Sequence, residues 1–160
     1  GLHTNGYSLA RKLFFETAGF TVDTHVDDLG TSVGEALLAP HKSYVHPAFA
    51  LMEEVPVRGM AHITGGGLTD NLPRTLPDGV GAQIQRGTWP ELPIFTLLQH
   101  IGDDIDEAEL FQVFNMGIGM VLIVAANQAD TALKRLHSAG ERAYIIGETV
   151  ADSTQTVQII

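Results

Sequence analysis

Cysteine is absent from all 160 residues. That absence excludes disulfides, thiolate metal ligation and a cysteine nucleophile, and it fits a reducing, cytoplasmic setting. Basic residues are few: nine Lys and Arg stand against nineteen Asp and Glu, for a formal charge of −10. So acidic a chain offers no positive face to a nucleic-acid backbone or an anionic membrane, and neither is expected as a partner. An anionic small molecule would have to be held locally, by backbone N–H groups and one or two arginines. No uninterrupted apolar run is long enough for a transmembrane helix. Internal repeats, low-complexity tracts and a complete Walker motif are also missing.

Glycine, by contrast, is plentiful, with seventeen in the chain and three consecutive at Gly65, Gly66 and Gly67. Such a triplet carries a heavy backbone-entropy penalty, so it marks positive φ, close approach of a ligand, or a tight turn. An apolar entry and the hydroxyl of Thr64 precede it; Asn71, Pro73 and Arg74 follow. A second glycine-bearing motif, His3-Thr4-Asn5-Gly6-Tyr7-Ser8, stands at the amino terminus.

Periodicity and capping signals interleave helices with strands. A helix is expected over 5–18, with Asn5 as N-cap, Gly19 at its end, and Ala10, Leu13, Phe14 and Thr17 inward. Residues 20–28 read as polar and irregular. A short helical or turn segment follows at 33–38 and a helix at 44–54, the latter with Pro47 in its first turn. A strand over 58–63 feeds the glycine triplet, and 70–76 forms a turn or helix broken by Pro73 and Pro77. Strands are expected at 81–85, at 120–125 (apolar enough to be covered on both faces), at 143–147 and at 155–160. Helices are expected at 93–101, at 106–114 with Asp106 as cap, and at 130–139 with Ala132, Leu133 and Leu136 inward. Asp103, Asp104, Asp106, Glu107 and Glu109 read as a solvated helix start rather than a metal site. The fold class is therefore α/β (α+β), helices layered around a mixed sheet, in one domain covering 1–160.

The chemistry rests on the two glycine motifs. The amides of Gly6, Tyr7 and Ser8 open a helix whose dipole favours a negative ligand, unless Asn5 is merely a cap. That dipole is worth only about 0.3–1 kcal/mol at an exposed site, so Arg11 or hydroxyl donors must add to it. Thr64, Gly65, Gly66 and Gly67 supply a further set of backbone donors, unless they only turn the chain. His62, at the strand end, is either a hydrogen-bonded structural residue or a proton carrier in a cleft. Arg74, beside Asn71, suits bidentate phosphate recognition or a surface ion pair. No metal ligand set is proposed.

Several strings occur in a particular order: the first eight residues, 34–40 with Tyr44 and Val45, 61–68, 71–74, 114–120 and 146–148. In that combination the chain resembles the carboxy-terminal half of the phosphoribosylformylglycinamidine cyclo-ligases, or AIR synthetases, over essentially its whole length. His41-Lys42-Ser43 departs from the Thr-basic-Ile run expected there. The resemblance implies an ATP-dependent closure of the imidazole ring on formylglycinamidine ribonucleotide in purine biosynthesis. It implies that ATP and Mg are handled chiefly by an amino-terminal domain that also builds a homodimer. The opening at Gly1, directly inside a motif, supports the expectation that this preceding half is missing and that the chain alone is inactive. His62 would then be catalytic, and His3, Thr4, Asn5, Gly6, Tyr7, Ser8, Arg11, Thr64, Gly65, Gly66, Gly67, Asn71 and Arg74 would bind substrate or phosphate. Related two-domain enzymes (formylglycinamidine synthase, selenophosphate synthetase, thiamine monophosphate kinase) and a non-catalytic phosphate-binding module are the alternatives.

Overall fold

The structure, a computed structural model, describes every residue except Asp104, so that one member of the acidic run lies outside the described residues. Helices and strands alternate as expected, giving a mixed α/β fold with small sheets and no barrel. The chain divides into two compact units. The first comprises Gly1–Lys42, Thr64–Leu68 and Pro90–Gly119; the second comprises Ser43–Ile63, Thr69–Trp89 and Met120–Ile160.

In the first unit, α1 (Tyr7–Arg11) continues without a break into a π-helical stretch, Lys12–Thr17. The expected cap is displaced. Gly6, not Asn5, holds the N-cap position, with φ 71° and no side-chain cap bond. Ala10, Leu13 and Phe14 are buried as the spacing predicts, but Thr17 is exposed. The widened i→i+5 turns advance the inward position by one residue, which leaves Ala18 half-buried instead. Residues 20–28 are not wholly irregular, because β1 (His25–Val26) pairs antiparallel with β2 (Thr31–Ser32). Ser32 then opens α2 (Val33–Leu37) with a capping box: its hydroxyl accepts from Glu35 N, and Glu35 accepts from Ser32 N. Hydrogen bonds from the Thr31 hydroxyl, then from Ser32, hold the Glu35 carboxyl below its usual range.

Two further helices complete this unit, α5 (Pro93–Ile101) and α6 (Glu107–Val113). Pro93 occupies the tolerated first position. Asp106 Oδ1 accepts from Ala108 N at 3.2 Å, and Glu107 and Glu109 fill the first turn, so the acidic stretch begins a helix as expected. Phe14, Phe95, Phe114, Leu98 and Leu110 are nearly inaccessible and form the heart of the unit.

The second unit carries α3 (Val45–Met52), β3 (Val57–His62) and β5 (Met120–Val124), with α7 (Ala129–Ser138). Strands β3 and β5 are antiparallel, with Met60 opposite Leu122 and His62 opposite Met120. Leu51, Val55 and Ala132 form a buried cluster against Val57, Leu122, Val124 and Leu136. Every residue of β5 is only partly buried, so the expectation of cover on both faces fails; an unbroken apolar run in a two-stranded ladder needs one packed face. A mixed three-stranded sheet has β4 (Val80–Ile84) at its centre, antiparallel to β6 (Gly147–Ala151) and parallel to β7 (Val157–Ile159). The strand expected at 143–147 starts only at Gly147. In the preceding stretch the Ala143 carbonyl oxygen lies 3.0 Å from His137 Nε2 and is engaged outside the sheet. Helix α4 (Gly67–Asn71) opens in the first unit and ends in the second, and the turn Pro73–Thr75 follows it.

Candidate functional site

The amino-terminal loop is bent by unusual backbone. His3 and Thr4 adopt φ of 53° and 65°, followed by Gly6 at 71°. For L-residues, and for a β-branched one above all, this left-handed region is strained by about 1–3 kcal/mol each and persists only where neighbours enforce it. The neighbours are present. Asn5 Nδ2 donates to the His3 carbonyl at 2.7 Å, and Asn5 N donates to the Leu2 carbonyl at 3.3 Å. Thr4 Oγ1 and His41 Nδ1 share a hydrogen bond of 3.0 Å, and the His3 and His41 rings stack at 4.6 Å. The Tyr7 hydroxyl donates to the Leu37 carbonyl, fixing α1 to the end of α2.

The glycine loop meets this turn. Gly65 N donates to Asn5 Oδ1 at 3.0 Å across sixty residues of sequence. Gly67 N donates to the Thr64 carbonyl at 3.0 Å, closing the loop on itself. The amides of Gly65 and Gly67 thus bond within the protein, which narrows the donor set anticipated from the sequence. Gly66 and Gly67 have φ of 98° and 58°. A Cβ on Gly67 would lie 1.7 Å from the Phe111 carbonyl oxygen, and one on Gly6 would lie 2.3 Å from the Phe114 ring. Both positions therefore exclude any side chain: backbone and ring approach too closely for one.

A third segment ties in, and the sequence reading gave it no role. Asn115 is 2% exposed; its Nδ2 donates to the Gly1 carbonyl at 3.1 Å, and its Oδ1 accepts from Gly117 N at 2.7 Å. A buried amide must find partners, and Asn115 finds them on both sides. Met116 beside it has φ 46°. The signal in the sequence was the glycine two residues after an asparagine, a turn pattern in which the side chain bonds the backbone two residues on. Thus His3, Thr4, Asn5, Gly6, Tyr7, Ser8, Arg11, Thr64, Gly65, Gly66 and Gly67 all fall in the first unit. Ser8 and Arg11 are exposed on α1.

His62, Asn71 and Arg74 belong to the second unit. His62 ends β3, is exposed, and has its ring 6.3 Å from that of Tyr44 at an interplanar angle of 57°. Tyr44 is the other residue that went unassigned: burial, then the nearby Glu141 carboxylate, push its hydroxyl up to about 12. It stays a phenol across the physiological range. Asn71 is 5% exposed, and its Oδ1 accepts from Arg74 Nη1 at 3.3 Å. Among the described residues no group of three His, Asp or Glu could hold a metal ion. No helix among them is long and apolar enough to cross a membrane.

The sequence pattern of the AIR synthase related protein, C-terminal domain, matches residues 1–160. The chain belongs to that family. It is 50% identical over 157 residues to the phosphoribosylformylglycinamidine cyclo-ligase of Bifidobacterium longum subsp. infantis, covering 98% of this chain and 45% of that protein. The enzyme of the same name from Thermoanaerobacter pseudethanolicus is 51% identical over 150 residues, 94% of this chain and 44% of that one. That from Alkaliphilus metalliredigens is 46% identical over 157 residues, again 98% and 45%. The AIR synthase-related chain thus spans somewhat under half the length of the relatives it matches. Three of the strings that carried the resemblance are hydrogen-bonded together in the first unit, at residues 1–6, 64–67 and 114–117.

Proposed function

We propose that this chain is the carboxy-terminal, substrate-cleft half of an ATP-dependent cyclo-ligase. The whole enzyme converts formylglycinamidine ribonucleotide to aminoimidazole ribonucleotide, ADP and phosphate. ATP phosphorylates the formyl oxygen, the amidine nitrogen attacks the activated carbon, and phosphate leaves as the ring closes. Such chemistry depends on positioning and on compensating phosphate charge more than on a covalent nucleophile, which suits a chain with no cysteine.

The single observation that carries this reading is the 3.0 Å bond joining Asn5 of the first motif to Gly65 of the second, in a chain about 50% identical to named cyclo-ligases. Two segments selected independently for anion binding share one hydrogen bond. Within the first unit, the α1 opening at Gly6, Tyr7 and Ser8, with Arg11 one turn on, offers donors to a substrate phosphate. Thr64 and Gly66 belong to the same proposed phosphate-binding loop, whose shape His3, Thr4, Asn5, Gly65 and Gly67 set. In the second unit, His62 is assigned as a proton carrier, and Arg74, steered by Asn71, as a phosphate ligand. Mg would be held with ATP by an amino-terminal domain; the described residues here provide no cage for it, and no step is assigned to it on this chain. The complete enzyme is expected as a homodimer.

The test is reconstitution. The isolated chain should turn over formylglycinamidine ribonucleotide weakly or not at all, and fusion to a cyclo-ligase amino-terminal half should restore ATP-dependent imidazole formation. A fusion that binds ATP yet never yields the imidazole would overturn the assignment.

A further inference from the structure

Thr4 is the least comfortable residue in the chain. It is β-branched, sits at φ 65°, and follows His3, which is itself at 53°. Two consecutive left-handed L-residues need external restraint. Asn5 restrains the His3 carbonyl from within the same turn. His41 instead reaches across 37 residues and engages both strained side chains at once. Its Nδ1 lies 3.0 Å from Thr4 Oγ1, and its ring stacks on His3 at 4.6 Å with only 18° between planes. His41 stands on the irregular segment between α2 and α3, in the same unit as the loop.

We propose that His41 is a positioning residue that clamps the left-handed backbone of His3 and Thr4 and thereby presents the first substrate-binding motif in its binding shape. The clamp stands on the geometry alone; its consequence for substrate rests on the cyclo-ligase reading. Through the turn at residues 3–6, the clamp also sets where the Asn5 side chain meets Gly65 N. His41 itself touches no reacting atom in this scheme.

Two measurements separate these layers. In the isotopically labelled 160-residue chain, residues 3 and 4 should give strong intraresidue HN–Hα Overhauser effects and carbon shifts typical of φ near about +57°. His41→Ala should weaken both signatures, and His41→Phe, which keeps the stack and loses the Thr4 bond, should restore His3 more than Thr4. In the reconstituted enzyme, His41→Ala should raise the substrate KM roughly tenfold with kcat within about twofold, the pattern of lost uniform binding. His41→Phe should recover part of that KM.

Left-handed signatures unchanged in His41→Ala would overturn the clamp. A loop that relaxes while KM stays at the wild-type value, in an enzyme where Asn5→Ala still raises KM, would overturn the positioning role and leave the cyclo-ligase reading intact. A reconstituted wild type with no turnover would sink that reading alone, since the spectra decide the clamp without it.

Discussion

The loop at residues 1–6 and the turn at 71–74 are both proposed phosphate contacts, yet they are built in opposite ways. The first is strained, left-handed at three positions, and held by Asn115, His41 and the Gly65 amide from segments far away in sequence. The second is local: Asn71 and Arg74 are three residues apart and bond to each other. Its geometry comes from a short helix followed by a proline-initiated turn, Pro73–Thr75. A long-range cradle couples binding to stability, because the residues that shape it also join distant segments. A local turn leaves the two separable.

The comparison can be broken most forcefully at Gly67. Gly67→Ala places a methyl 1.7 Å from a backbone oxygen at φ 58°, and backbone cannot swing aside as a side-chain tip can. It should destabilise the chain by roughly 3–5 kcal/mol in urea unfolding. A loss below about 1 kcal/mol would mean that the loop reshapes freely.

Asn5→Ala comes next. It removes the bonds to Gly65 N and the His3 carbonyl, for about 1–2 kcal/mol. It should also raise the substrate KM of the reconstituted enzyme. Asn5→Asp keeps the acceptor for Gly65 but sets a carboxylate against the His3 carbonyl, so it should recover only part of the stability. Stability lost with KM unchanged would make Asn5 purely structural.

Arg74→Ala sharpens the contrast from the other side. The residue is exposed, so unfolding free energy should move by less than about 0.5 kcal/mol. The substrate KM should nonetheless rise about tenfold if the guanidinium meets phosphate. A stability loss without a change in KM would reverse the two roles.

The smallest effect concerns another local turn. Asp152 accepts from Thr154 N at 2.9 Å, Thr154 Oγ1 at 2.6 Å, Thr156 N at 3.0 Å and the Thr156 hydroxyl. These bonds, the Thr154 hydroxyl first, hold its carboxyl well below the ordinary carboxylate range. A folded-state depression stabilises the protein above the unfolded value of about 3.9, and that stabilisation is lost as pH falls from there through the folded value. Asp152→Asn should flatten the acid limb of a stability-against-pH curve by lowering the neutral plateau toward it. An acid limb unchanged by the substitution would show that this turn contributes nothing to it.

Much of the fold could be read from local signals. Pro93 opens α5, Asp106 caps α6, and an apolar stripe turns Ala132 inward on α7, each within a few residues of its cause. The same rules went astray where a side chain had a better distant partner. Asn5 has the chemistry of a cap, but its amide bonds His3 and Gly65, and Gly6 takes the cap position. Thr17 was assigned inward by a spacing that the π-helical stretch does not keep. The candidate site was legible in its membership more than in its wiring. Both glycine motifs could be given a role, whereas Asn115 and His41 could not, because their contacts lie 114 and 37 residues away.

The chain's order of residues determined its family, its alternation of helices and strands, and which segments carry polar chemistry. Those properties follow from spacing, caps and turn residues, which act over a few positions. Only the folded molecule decided that the amino-terminal turn bonds the glycine triplet, that Gly6 and Gly67 admit no side chain beside Phe114 and Phe111, and that the Gly65 and Gly67 amides bond within the protein. Such matters depend on the ångström-scale approach of atoms far apart along the chain, and packing alone sets that distance.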